Sequence, residues 1–268
     1  MNIALHTLDW TILMATQARI AWRKFGTGSK VVLALHGWHG GRWSFEPLLP
    51  SLDLEKFTWI CPEYRGYGQS SNLRGEFTMA EAADDCIEIL ASLGVDHCYL
   101  VGHSMGAKVA QLIALDGRIV IDGLLAVTPV PASGVPFDPP TFDMFAESTR
   151  SIEGVKSVLD NATAGRLGNA WLRRQAELTW ANSGHEVLLA YFKDWASDDF
   201  SDRVKGLRVR TLAIIGQHDQ AISEPVMKFT YLDWLPNCTL EIVEGAGHYP
   251  MDEAPLRLGA VIEQFLST

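Results

Sequence analysis

Residues 98–113 read CYLVGHSMGAKVAQLI, and the five in their middle, Gly102-His103-Ser104-Met105-Gly106, decide the fold. An apolar run precedes them and a helix-like run, AKVAQLIAL, follows. A serine on a tight strand-to-helix turn lifts its hydroxyl above the end of the strand. The flanking glycines permit a strained backbone and close packing. The helix that begins there presents N–H groups to an oxygen that becomes negative. A plain helix-capping serine is the competing reading, and the strand-like run before it favours the sharper turn.

Outward from this turn, strand-like and helix-like segments alternate. Residues 31–35 (VVLAL) are continuously apolar, as a strand covered on both faces should be. Residues 57–61, 98–101, 119–127, 209–215 and 239–243 read as further strands. Thr78 and Glu81 form a capping-box pattern that starts a helix, and Gly94 stops it. Further helices follow Ser104 as far as Gly117, start near Ser223 and Pro225, and run from Pro255 to Leu266. Alternation of this kind implies an α/β fold, a mostly parallel, doubly wound sheet with helices on both faces.

The alternation stops between Pro129 and Lys205. The stretch opens with PVPASGVPFDPP, which reads as turns because internal prolines break helices. Amphipathic patterns follow over 169–181 and 185–196. The chain therefore divides into a first core part (1–128), an inserted helical cap (129–205) and a second core part (206–268).

A serine is a poor nucleophile without an adjacent base. His248 sits in a glycine-rich loop just after the strand TLEIV, at the sheet edge that Ser104 occupies if the strands are parallel. Asp219 follows the strand VRTLAII and a short turn, where a carboxylate can orient an imidazole. Asp122 is the rival acid, but it lies inside a strand. His103 lies within the turn, where its side chain is expected to point elsewhere.

His36-Gly37-Trp38, Gly102 to Gly106, Asp219 in GQHDQ and His248 in GAGHYP together resemble the α/β-hydrolase fold family, in its order of nucleophile, acid and histidine. The likeness runs over nearly the whole chain, cap excepted. It implies a catalytic triad of Ser104, Asp219 and His248, and an oxyanion hole made by the backbone N–H groups of Trp38 and Met105. One departure is Glu63, which stands where the family often shows Asp before an Arg-Gly pair. Glu63 and Arg65 are read as structural.

Haloalkane dehalogenases and epoxide hydrolases of this fold use an aspartate nucleophile, which the serine argues against. Carbon–carbon bond hydrolases of aromatic degradation share a serine and a helical cap but typically carry Trp after the catalytic His, where this chain has Tyr249. Perhydrolases usually show HGWP, and cofactor-free dioxygenases also show HGW, but the intact GHSMG favours hydrolysis. The expected activity is cleavage of an ester or related acyl bond of a small apolar or aromatic substrate. A C–C bond hydrolase or lactonase is the alternative, and a receptor that keeps the triad without turnover is another. Trp38, Trp171, Trp180, Trp195 and Tyr249 are the candidate substrate contacts, although tryptophans in a cap also serve simply to pack it.

The net charge of −10 has the wrong sign for nucleic acid or an anionic membrane. The four cysteines, Cys61, Cys86, Cys98 and Cys238, show no metal-ligand spacing, so a reduced, cytoplasmic protein without metal or cofactor is expected. The N-terminal MNIALHTLDWTILMATQ lacks a basic region and is interrupted by Asp9, which makes it a poor signal peptide.

Overall fold

The computed structural model describes residues 20–268. Residues 1–19, which carry the sequence read above as a poor signal peptide, lie outside the described residues. Seven strands form one sheet: β1 (Trp22–Phe25), β2 (Lys30–Leu35), β3 (Phe57–Pro62), β4 (His97–His103), β5 (Val120–Val127), β6 (Thr211–Gly216) and β7 (Cys238–Val243). Their order is β1-β3-β2-β4-β5-β6-β7, and only β1 is antiparallel to its neighbour.

β1 has no counterpart in the sequence reading. It is four residues long and carries Arg23 and Lys24, so it has no apolar run to announce it. Short, charged strands are what sheet edges tolerate. β2, β3 and β4 sit inside the sheet and are buried almost throughout, because parallel strands are covered on both faces.

Helices α1 (Met79–Ser92) and α2 (Met105–Asp116) pack against each other, and α2 also lies on β2, β4 and β5. Thr78 Oγ1 caps α1 by accepting the Glu81 N–H at 3.2 Å. Glu81 reaches back to the Phe77 N–H at 3.0 Å, one residue beyond the expected capping-box partner. Gly117 closes α2 in the left-handed conformation.

Between β5 and β6 lie α3 (Pro139–Ser148), α4 (Ile152–Ala162), α5 (Asn169–Asn182), α6 (His185–Ser197) and α7 (Ser201–Val204), with no strand. α3 starts inside the proline-rich stretch, which corrects its reading as turns throughout. Pro139 and Pro140 occupy the first helical turn, where a missing N–H costs nothing, and Asp138 accepts the Thr141 N–H at 2.8 Å. After β6 come α8 (Glu224–Phe229), α9 (Tyr231–Trp234), α10 (Pro250–Glu253) and α11 (Pro255–Ser267).

The helices between β5 and β6 are tied to the sheet side by directional bonds. Tyr191 OH donates to Arg65 O at 3.1 Å, and Asp194 Oδ2 accepts the Met79 N–H at 2.7 Å. Lys108, fully buried on α2, donates to Trp195 O at 3.2 Å and Asp198 O at 2.5 Å at the end of α6. Burial pushes its ammonium down to about 8, against the pull of Asp198, Asp194 and Asp199. Arg65 is paired with Asp85 through two bonds of 2.6 and 2.8 Å, a structural role, and Glu63 is buried beside Gly68.

All four cysteines are free; Cys61, Cys86 and Cys98 are core residues, while Cys238 is half-buried on β7. Among the described residues no helix is long and apolar enough to cross a membrane.

Candidate active site

Ser104 caps α2 with φ 53° and ψ −118°, a conformation that costs an L-residue about 1–3 kcal/mol and must be held by its surroundings. The surroundings are close. A Cβ on Gly102 would stand 2.6 Å from Gly106 O, and one on Gly106 would collide with Leu35 O. The Ser104 N–H is taken by Val127 O at 2.9 Å, which ties the turn to the end of β5.

His248 lies in the loop after β7 and Asp219 in the loop after β6. Both loops stand at the carboxyl edge of the sheet, as does Ser104 at the end of β4. Their backbones touch: a Cβ on Gly216 would collide with Gly247 O, and the His218 N–H donates to Ala246 O at 2.8 Å.

Ser104 Oγ stands 2.9 Å from His248 Nε2, and His248 Nδ1 stands 2.6 Å from Asp219 Oδ2. The other carboxylate oxygen of Asp219 accepts the N–H groups of Ala221 and Ile222 at 3.0 and 2.9 Å, which fixes its plane. Asp122 is far from this chain of contacts. It sits near the start of β5, 3.4 Å from the exposed His97.

Two supports for His248 escaped the sequence reading. Glu253 accepts the N–H groups of Gly247 at 2.8 Å and Tyr249 at 3.0 Å, one on each side of His248. Arg166 holds Glu253 at 2.6 Å and Gly245 O at 2.6 Å. An acidic residue in the first turn after Pro250 was the only sign, and acids are common there. The second support is His103, whose Nε2 lies 2.8 Å from His248 O. The carbonyl can only accept, so Nε2 carries the proton.

Trp38 and Met105 flank Ser104. Met105 is the first residue of α2, where an N–H has no partner within the helix. Gly37 packs on the turn at Ser104, since a Cβ there would lie 3.2 Å from Ser104 Cβ. The segment around Trp38 is held on every side. Trp38 O accepts from Tyr67 OH at 2.8 Å, its indole donates to Leu188 O at 2.8 Å, and His39 O accepts from Gln175 and Thr179 at 2.8 and 3.0 Å.

Three histidines around the site are held neutral by burial, His36 down to about 4 and His39 and His103 down to about 3. The positive charge that His248 gains on protonation pushes the last two further the same way.

A cavity of about 220 Å³ opens over Ser104. Trp38, Trp195, Phe137, Phe145 and Tyr249 form its aromatic wall, with Val130, Val135, Val158 and Ile222 beside them. No lysine or arginine is among its described lining residues.

Of the tryptophans and tyrosine singled out in the sequence, Trp38, Trp195 and Tyr249 line this cavity. Trp171 and Trp180 do not. Both are on α5, outside the described lining of the cavity, and Trp171 packs edge-on against Tyr249 at 5.4 Å. α6 carries Trp195 inward instead, with Phe145 of α3 stacked on Phe192. Phe137 and Phe145 went unread because their segment has no strong period. Among the described residues no cluster of His, Cys, Asp or Glu could hold a metal ion.

Residues 30–255 match the family model described as alpha/beta hydrolase fold. The chain is 34% identical to a soluble epoxide hydrolase of Corynebacterium sp. over 106 residues, which are 40% of this chain and 36% of that protein. It is similar in structure to an esterase from Exiguobacterium antarcticum, with a TM-score of 0.84 and 20% identity over 93% of this chain and 96% of the other. A meta-cleavage product hydrolase from Pseudomonas fluorescens superposes with a TM-score of 0.78 and 19% identity, over 94% and 96% of the two chains.

Proposed function

We propose, from the premise that the chain belongs to the alpha/beta hydrolase fold family, that it is a serine hydrolase cleaving carboxylic esters of compact apolar or aromatic acids. The observation that carries this is the run of contacts from Ser104 Oγ through His248 to Asp219, at 2.9 and 2.6 Å. His248 Nε2 takes the hydroxyl proton as Ser104 Oγ bonds to the carbonyl carbon. The N–H groups of Trp38 and Met105 receive the oxyanion. The C–O bond to the alcohol then breaks, and the imidazolium gives its proton to the departing oxygen. Water, deprotonated by His248, releases the acid from Ser104.

The helices between β5 and β6, with the proline-rich stretch before α3, act in this reading as a cap over residues 129–205 that encloses the acyl group. The apolar wall of Phe137, Phe145 and Trp195 supports this. An ester of a neutral acid fits better than a meta-cleavage dienoate, which brings a carboxylate. The described lining has no lysine or arginine to receive one, and burial keeps His39 and His103 neutral. The epoxide hydrolase relative covers only 40% of this chain, and Ser104 supplies a different nucleophile.

A fluorophosphonate probe together with a p-nitrophenyl ester panel tests this reading. Ser104 is expected to be labelled and turnover to be prompt, with Ser104→Ala losing both, by at least about 10³-fold in kcat, while keeping its melting temperature. Labelling elsewhere would remove the triad. Labelling without turnover would favour a receptor.

A further inference from the structure

A second, more open cavity of about 480 Å³ adjoins the first and shares Phe145, Val158, Asn161 and Gln220 with it, and Ser157, Asp160, Asn161 and Gln220 in its lining are solvent-exposed. Its character is different. Ser157, Asp160, Asn161 and Gln220 give it hydrogen-bonding groups, with a single carboxylate and no basic side chain among its described lining residues.

Its position relative to the base decides what it can hold. The His248 N–H donates to Ala162 O at 3.2 Å, so the end of α4 abuts the base loop. Asn161 and Asp160 precede that contact directly, and Gln220 follows Asp219. The outer cavity is thus bordered by residues adjacent in the chain to the ones that contact or carry His248 and Asp219, with Phe145 on its other border. In acyl transfer the departing oxygen must lie within reach of the imidazolium that protonates it. The group attached to that oxygen then leaves the inner chamber on the imidazolium side, while the acyl group lies against Trp38 and Trp195.

We infer that the outer cavity is the leaving-group subsite, and that it takes a neutral, hydroxylated alcohol of the polyol kind, joined to the apolar acid held in the inner chamber. This rests on the serine-hydrolase reading above. Asn161 and Gln220 offer amide donors and acceptors to hydroxyl groups, whereas an anionic alcohol meets Asp160 with no counter-charge in the lining. A purely apolar alcohol leaves these side chains to water and gains little from them.

The test compares phenylacetate esters of glycerol, ethanol and glycolate, since kcat/KM reports acylation and so reads the leaving group. The glyceryl ester is expected to exceed the ethyl ester about tenfold, as one or two added hydrogen bonds allow, and the glycolate ester to fall below both. Asn161→Leu and Gln220→Leu should each bring the glyceryl-to-ethyl ratio toward one. Equal kcat/KM for the glyceryl and ethyl esters, with Ser104 labelled, would overturn the subsite and spare the hydrolase. Binding to Ser104→Ala gives a readout free of turnover. Tighter binding of the glyceryl ester supports the subsite even if Ser104 proves not to be the nucleophile, and equal binding rejects it.

Discussion

His103 donates its Nε2–H to the main-chain carbonyl of His248 at 2.8 Å, so the residue before the serine holds the loop that carries the imidazole. The serine turn and the histidine loop are thereby one mechanical unit, with Thr128 Oγ1 donating to the same carbonyl at 3.1 Å. His103→Phe keeps a ring in place but removes the donor. It should lower kcat/KM for p-nitrophenyl esters about 10²-fold, mostly in kcat, because small misplacements of a base are costly. His103→Gln, which can still donate, should recover much of this. Equal rates for Phe and His at position 103 would make the contact mere packing.

Glu253 supports the same loop from the other side. Glu253→Ala frees the N–H groups of Gly247 and Tyr249 and strands Arg166. A loss of about 1–3 kcal/mol in stability is expected from the orphaned donors, with slower labelling of Ser104 by the fluorophosphonate. Unchanged labelling kinetics would show that the loop holds its shape without the clamp.

Trp195 and Trp171 should behave differently. Trp195 faces the cavity, and Trp171 packs behind Tyr249. Trp195→Ala is expected to shift preference toward longer or bulkier acyl chains in a kcat/KM series. Trp171→Ala and Trp180→Ala should lower the melting temperature while affecting all chain lengths alike. A selectivity change from Trp171→Ala equal to that from Trp195→Ala would contradict the placement of the rings.

Acid should unfold the protein through its neutral histidines. His36 is lowered to about 4 and His39 and His103 to about 3, while the unfolded chain titrates each near 6.5. Below 6.5 the unfolded state takes up protons that the folded state refuses. Their contribution is therefore complete above 6.5 and is lost as pH falls toward 4 and then 3. Between about pH 6 and 4 the three groups together cost roughly 4 kcal/mol per pH unit. Urea unfolding at pH 7, 6 and 5 measures the slope, and His36→Phe should lessen it by about a third. A free energy that stays level from pH 7 to 5 would rule this out.

Gly106→Ala should fail at the core rather than at the site. Its Cβ would collide with the carbonyl of Leu35, which belongs to β2 and cannot move without disturbing the sheet. A loss of about 1–3 kcal/mol or more is expected. A melting temperature within a degree of the parent would show that α2 can shift.

The turn at Ser104 and the six parallel strands were legible in the sequence because each depends on neighbours along the chain, while the order of Ser104, Asp219 and His248 was read from the family resemblance. A strained φ needs flanking glycines, a strand buried on both faces needs an apolar run, and a helix end needs a cap. Even so, the contact of His248 with both Ser104 and Asp219 is a matter of distance, and it exists only because three loops converge at one sheet edge. The cavity wall was less legible still. Trp171, Trp180 and Trp195 are equivalent as letters, each on an amphipathic helix. Which of them meets the cavity depends on how α5 and α6 are seated, and that is set by contacts from distant positions such as Lys108, Trp38 and Arg65. Glu253 and His103 acquired their roles in the same way. A side chain's hydrogen-bonding capacity is written in its type, but its partner is chosen by the packing of segments far apart in the chain.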